Sequence, residues 1–183
     1  MFRCGIRTDF VKFCSRFAFD EFERGVGRAR TLFRGRAVWN VNSTARGGGV
    51  VELLRPLVGY ARGVGVDTRW VVIDADAPFY EITKRIHNRL HGFARDRGEL
   101  DDDARRKYES ALADNVAAVA PQIGPNDVVI LHDPQTAGMA PALRRSAAAV
   151  IWRCHVGLDS CAAARSTSAK SPATARSRRL SAA

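Results

Sequence analysis

The chain has 183 residues and a formal net charge of +10, enough length for one domain with a true core plus tails. The charge sits at the ends: residues 1–36 carry nine Lys/Arg against four Asp/Glu, residues 160–183 carry five against none, and residues 37–159 balance at fifteen of each. The middle is therefore a neutral globular sequence, which argues against nucleic acid as its partner despite the basic total.

Residues 10–34 space seven apolar residues, mostly phenylalanines, at helical intervals among charges, which predicts one amphipathic helix or two. "AVWNV" (37–41) predicts a short strand. The polar stretch "NSTARGGG" (42–49) follows, then a helix over 50–65 in which Pro56 should introduce a kink or an early end. "TRWVVID" (68–74) predicts a strand, and "PFYEITKRIHNRLHG" (78–92) a helix ended by Gly92. A helix over 101–123 opens on three aspartates, where carboxylates suit the dipole, lines one side with Leu112, Val116 and Val119, and closes at Pro121. "DVVILHD" (127–133) is an apolar run of the kind buried in a parallel sheet. A short helix over 136–147 and a strand over 149–155 complete the order.

Strands alternating with helices predict an α/β fold: an open, Rossmann-like parallel sheet with right-handed crossovers. Ligands of such sheets sit at the carboxyl ends of the strands. That rule selects Asn42 to Gly49, Asp74 to Phe79, His132 to Gln135 and His155 to Asp159, which are the places where polar residues follow apolar strands.

No apolar run approaches the ~20 residues of a membrane span, and "MFRCGIRTDFVKF" lacks the uninterrupted apolar stretch of a signal peptide. Cys4, Cys14, Cys154 and Cys161 are scattered without zinc-binding spacing. A reduced, soluble, cytoplasmic protein is expected.

Each polar feature has a plain and a functional explanation. Gly47, Gly48 and Gly49 could form an ordinary strand-to-helix turn, or a cradle whose backbone N–H groups meet a phosphate at a helix start. They match neither the GxGxxG fingerprint nor a P-loop. His132 and His155 each end an apolar strand, as core-edge histidines or as ligand contacts. His87 and His91 share a helix face, and without a third ligand in register a solvated face is the simpler account than a metal.

Taken together and in order, "VWNVNSTARGGGVVELL", "ITKRIHNRLHG", "ILHDPQTAG" and "VIWRCHVGLD" resemble the N-terminal domain of retaining GT-B glycosyltransferases. Within these the similarity is to trehalose synthases that join a nucleotide-activated glucose to free glucose, with trehalose phosphorylases close by. The resemblance spans roughly residues 22–159. It implies the acceptor-side half of a two-domain enzyme, with the active site in a cleft. It further implies that Gly47, Gly48 and Gly49 cap the donor phosphates and that Glu52 supports that loop. His132, Asp133 and His155 would form the catalytic set, Asp133 meeting an acceptor hydroxyl. Arg153 would orient donor glucose, and Lys84, His87, Asn88 and Gln135 would lie near the sugars. No metal or cofactor is called for, nucleotide-glucose being a substrate. The partners expected are glucose and nucleotide-glucose, with no membrane, no nucleic acid, and a homodimer as the self-association to test.

Three segments follow: a basic helical lead (1–36), the Rossmann-like domain (37–159) and a basic tail (160–183). The tail is almost entirely Ala, Ser, Arg and Thr and is expected to be disordered. Its abrupt start suggests a truncated reading frame that lacks the donor domain and leaves the chain inactive alone. The competing explanations are a genuine basic tail, a non-enzymatic sugar- or partner-binding module, a nucleic-acid binder, and a phosphorylase fragment.

Overall fold

The computed structural model describes residues 16–92 and 98–156. The expectations for residues 10–15, for Asp159 and for the tail lie outside the described residues. Helix α1 (Arg16–Leu32) precedes β1 (Ala37–Asn42), α2 (Gly49–Gly63), β2 (Asp67–Val72), α3 (Ala77–Leu90) and α4 (Asp102–Val119). After a 3-10 turn (Ala120–Gln122) come β3 (Val128–His132), the short helices α5 (Asp133–Ala137) and α6 (Ala140–Leu143), and β4 (Ala149–Arg153). The four strands form one all-parallel sheet in the order β2-β1-β3-β4. This is the α/β, Rossmann-like open sheet with flanking helices that the alternation of elements predicts.

The sheet forms because β1 is buried along its whole length and alternates two different surfaces. Ala37, Trp39 and Val41 join Val129 and Leu131 in a core closed by Phe79, Leu112, Val119, Met139 and Leu143. The opposite face carries Val38, Asn40 and Asn42, and on that side α2 packs against β2 and buries Val51, Leu54 and Val58. Helices α3 and α4 start where sequence chemistry allows. Asp76 accepts a hydrogen bond from the Phe79 N–H at 3.0 Å, and Asp101 from the Ala104 N–H at 2.8 Å.

Three expectations need correction. Helix α2 is not shortened by Pro56 but runs through it to Gly63. Pro56 faces solvent, where water can serve the carbonyl that loses its donor, while the buried Val51, Leu54 and Val58 hold the other face. The single helix expected over 136–147 is instead two short pieces that begin earlier, at Asp133, and break around Gly138. At Gly138 an added Cβ would lie 2.7 Å from a Tyr108 ring carbon and 2.8 Å from Leu112 Cδ1. Close approach of α4 thus requires glycine at this position. The strand expected over 68–74 also stops at Val72, and Asp74 belongs to the following loop.

Candidate functional site

From β1 the chain crosses to β2 on one side, then returns to lay β3 on the other side of β1. The carboxyl ends of β1 and β3 therefore flank the topological switch point, where open α/β sheets hold ligands. Four polar residues from three strand ends meet there.

His132 ends β3 and is only 2% exposed. Its Nε2 lies 3.1 Å from Asn40 Oδ1 on β1, and its Nδ1 lies 3.0 Å from His155 Nε2, just past β4. Asn40 Nδ2 faces the Arg69 carbonyl at 3.5 Å, which turns Oδ1 toward His132. The tautomers follow by matching donors to acceptors. His132 Nε2–H donates to Asn40, and His155 Nε2–H donates to His132 Nδ1. The two rings stack with centroids 5.3 Å apart. Burial first, then the nearby His155 and Arg153, lower the His132 pKa to about 4, against an opposing pull from Asp133. His132 is neutral at pH 7. Both of its ring nitrogens are engaged within the described structure.

Asp133 is the junction of the site. Its φ is +62°, the sole positive value outside glycine among the described residues. Such a conformation costs a non-glycine residue about 1–2 kcal/mol, less for Asp, and persists where surrounding contacts impose it. Those contacts are present. Asp133 Oδ1 accepts the His155 N–H at 2.7 Å, and its carbonyl accepts Trp152 Nε1–H at 3.0 Å. The following Pro134 disfavours the right-handed region for Asp133, so the sequence pushes the same way. One carboxylate oxygen holds the His155 turn, and no residue in the described structure engages the other. The pair is braced from below. Thr136 Oγ1 donates to the His132 carbonyl at 2.7 Å, and Tyr108 OH donates to the Pro134 carbonyl at 2.7 Å while accepting the Gly138 N–H at 3.0 Å. Gln135 Oε1, on the same short helix, is buried without a hydrogen-bond partner.

The glycine loop leaves the same end of the sheet. Gly47 and Gly48 have φ +70° and +86°, with open space where a Cβ would stand. Glycine is required there by backbone conformation rather than by packing. Gly48 caps α2, and Gly49 is its first residue. The loop is shaped from its base. Asn42 Nδ2 donates to the Thr44 carbonyl at 3.0 Å, Arg46 N–H donates to Thr44 Oγ1 at 3.1 Å, and Tyr80 OH from α3 donates to the Ser43 carbonyl at 2.9 Å. Glu52 sits exposed in the first turn of α2 and makes no hydrogen bond to the loop.

Helix α3, which carries Lys84, His87 and Asn88, packs against α5. The His87 pKa is lowered by burial and by Lys84 and His91, and is raised in part by Asp133, so these charges act on one another across the site. Arg153 stands beside His132 in the sheet register. The structure thus brings His132, Asp133, His155, Arg153 and His87 into one neighbourhood. Asn40, Trp152 and Tyr108 are not singled out by the sequence reading. For Asn40 a signal exists: an amide in the middle of a strand buried on both faces needs a partner. The partner's identity depends on strand pairing. No group of three His, Cys, Asp or Glu side chains placed to hold a metal occurs among the described residues, nor any helix long and apolar enough to cross a membrane. An open cleft of about 700 Å³ lies to one side, lined by Asp74, Asp76, Lys107, Ser110, Asp114 and Asn115, and contains none of these residues.

Known proteins share this stretch of chain. The family profile described as "Trehalose synthase, N-terminal domain" matches residues 40–172, from the buried Asn40 onward. The chain belongs to this family. It is 34% identical over 127 residues to a trehalose synthase of Pyrococcus horikoshii, covering 69% of this chain and 29% of that relative. It is 34% identical over 156 residues to a trehalose synthase of Rubrobacter xylanophilus, covering 81% and 35%. A trehalose phosphorylase of Pleurotus pulmonarius is 28% identical over 126 residues, covering 65% and 17%. The chain thus spans about a third of the length of the trehalose synthases it matches.

Proposed function

We propose that the chain is the acceptor-side half of a glycosyltransferase that moves glucose from a nucleotide-glucose to free glucose with retention, forming trehalose. The observation that carries this is the Asn40–His132–His155–Asp133 constellation at the switch point, in a chain of this family. In this reading Asn40 and His132 are positioning residues that hold His155 in one tautomer. His155 presents its second ring nitrogen to a sugar, and the unengaged Asp133 oxygen accepts an acceptor hydroxyl.

The glycine loop serves the donor. Backbone N–H groups at the start of α2, made approachable by Gly47 and Gly48, stabilise the charge that develops on the diphosphate. The acceptor oxygen bonds to the glucose anomeric carbon on the face from which the phosphate departs. Its proton passes to the departing phosphate oxygen. Arg153 and His87 add positive or polar groups around the sugars, and nucleotide-glucose enters as substrate without a cofactor. The task of the chain's residues is chiefly to align two substrates. Because the chain spans about a third of the matched trehalose synthases, it should make no detectable trehalose alone.

A chimera tests this. Residues 1–156, joined to the part of the Rubrobacter relative that follows its matched region, should form trehalose from nucleotide-glucose and glucose, and His155→Ala should abolish it. A folded chimera that binds glucose yet makes no trehalose would favour a non-enzymatic sugar-binding module.

A further inference from the structure

The opposite, amino-terminal end of the sheet holds a second concave surface. An open cleft of about 660 Å³ is lined by Arg30, Arg34, Arg36 and Arg69, with Asp67, Asp127 and Phe33 among the rest of its wall. We propose that this cleft is a binding site for a small phosphate-bearing anion, held between Arg34 and Arg36.

The charges carry the argument. Four arginines and two aspartates line the cleft, and both carboxylates are already occupied. Asp67 takes Arg69 through both oxygens, at 2.8 and 3.4 Å. Asp127 spends its two oxygens on three N–H donors: Ala37 and Trp39 Nε1 at 2.8 Å, and Gly124 at 2.9 Å. Arg69 also lies over the Trp39 ring, 4.6 Å from its centroid, so it is fixed as part of the wall. Arg30 is anchored through Nε to the Val64 carbonyl at 2.6 Å, which leaves its terminal nitrogens available. No ion pair of the described structure engages Arg34 or Arg36. Like charges gathered in one recess repel, and an anion relieves that repulsion. Planar guanidinium forks match phosphate oxygens in bidentate fashion.

The shape decides between a small ion and a polymer. The volume falls in the range of small-ligand pockets, and the lining sets Phe33 and Gly35 beside the arginines. A nucleic-acid backbone would ask for a stripe of charge along a groove. This end of the sheet is a strand length, about 17–20 Å, from His132 and the glycine loop, so an occupant of this cleft does not share the sugar site.

Titrating the full chain with pyrophosphate by calorimetry tests the proposal. Saturable binding is expected, weakened about tenfold or more in the double variant Arg34→Gln, Arg36→Gln, since each loses a charge-assisted contact. Arg105→Gln, at an exposed arginine of α4 that pairs with Glu109 and lines neither site, should bind as the parent does. If the double variant does not fold, as read by far-UV circular dichroism, Arg34→Lys with Arg36→Lys keeps the charge but loses the fork and should still bind measurably more weakly. Undiminished binding in the folded variants, no binding by the parent, or loss on Arg105→Gln would each overturn the proposal. So would tighter binding of a single-stranded oligonucleotide with the same arginine dependence, which would make this surface a polymer interface.

Discussion

Two aspartates, one at each end of β3, tie the sheet together in different ways. Asp127, at the amino end, is folded entirely into the structure: its two oxygens accept three N–H groups and join the starts of β1 and β3. Burial alone would raise its pKa, yet the Ala37, Trp39 and Gly124 donors hold it below the ordinary value. Asp133, at the carboxyl end, accepts one N–H and leaves an oxygen unengaged among the described residues, and it sits at φ +62°. A saturated aspartate in relaxed backbone builds the fold. A strained one with spare capacity beside two histidines has something left to bind.

Breaking each aspartate should expose that contrast. Asp127→Ala leaves two buried donors and one partly buried donor unsatisfied and should destabilise the chain by about 3 kcal/mol, read by urea denaturation. A loss under ~1 kcal/mol would contradict its saturated role. Gly138→Ala forces a methyl group into Tyr108 and Leu112 and should cost about 2 kcal/mol, while also disturbing the α5 turn under Asp133. Asp133→Gly should behave differently. Relief of the left-handed backbone offsets the lost hydrogen bond to His155, so stability should stay within about 1 kcal/mol of the parent. Glucose affinity should nevertheless fall about tenfold or more, as expected for a lost hydrogen bond to a charged group. Equal losses of stability at Asp127 and Asp133 would erase the distinction between the two ends.

A pH dependence is expected as well. The His132 pKa is lowered to about 4 in the folded chain, whereas an unfolded histidine titrates near 6.5. Between those values the unfolded chain takes up a proton that the folded chain refuses. This contribution to stability is therefore complete above about pH 6.5 and is lost as the pH falls toward 4. The melting temperature should decline across that window, and His132→Asn should flatten the decline.

Much of this is legible in the sequence. The alternation of apolar runs with helical patterns points to the sheet, and the rule that ligands meet strand ends picks out His132, Asp133 and His155. The rest depends on relations between distant residues. Asn40 acquires meaning only when β1 pairs with β3, because its partner is 92 positions away. The glycine at Gly138 is explained only by the close approach of Tyr108 and Leu112, which no local pattern encodes. Pro56 continues a helix because tertiary burial of its neighbours outweighs one missing hydrogen bond. The left-handed Asp133 has a local sign in its following proline, but the hydrogen bonds that impose it come from β4 and the turn after it.

The central claim, that the carboxyl end of the sheet is the sugar site, is most directly tested by heteronuclear NMR of the full chain titrated with glucose. The account predicts saturable, millimolar binding, an affinity that corresponds to about 4 kcal/mol. Shifts should concentrate on the His155 ring and the amides of Asp133, Gln135 and His155, and should be strongly reduced in Asp133→Gly. Shifts centred on Asp127 and the arginine cleft, or no saturable shifts at all, would contradict it.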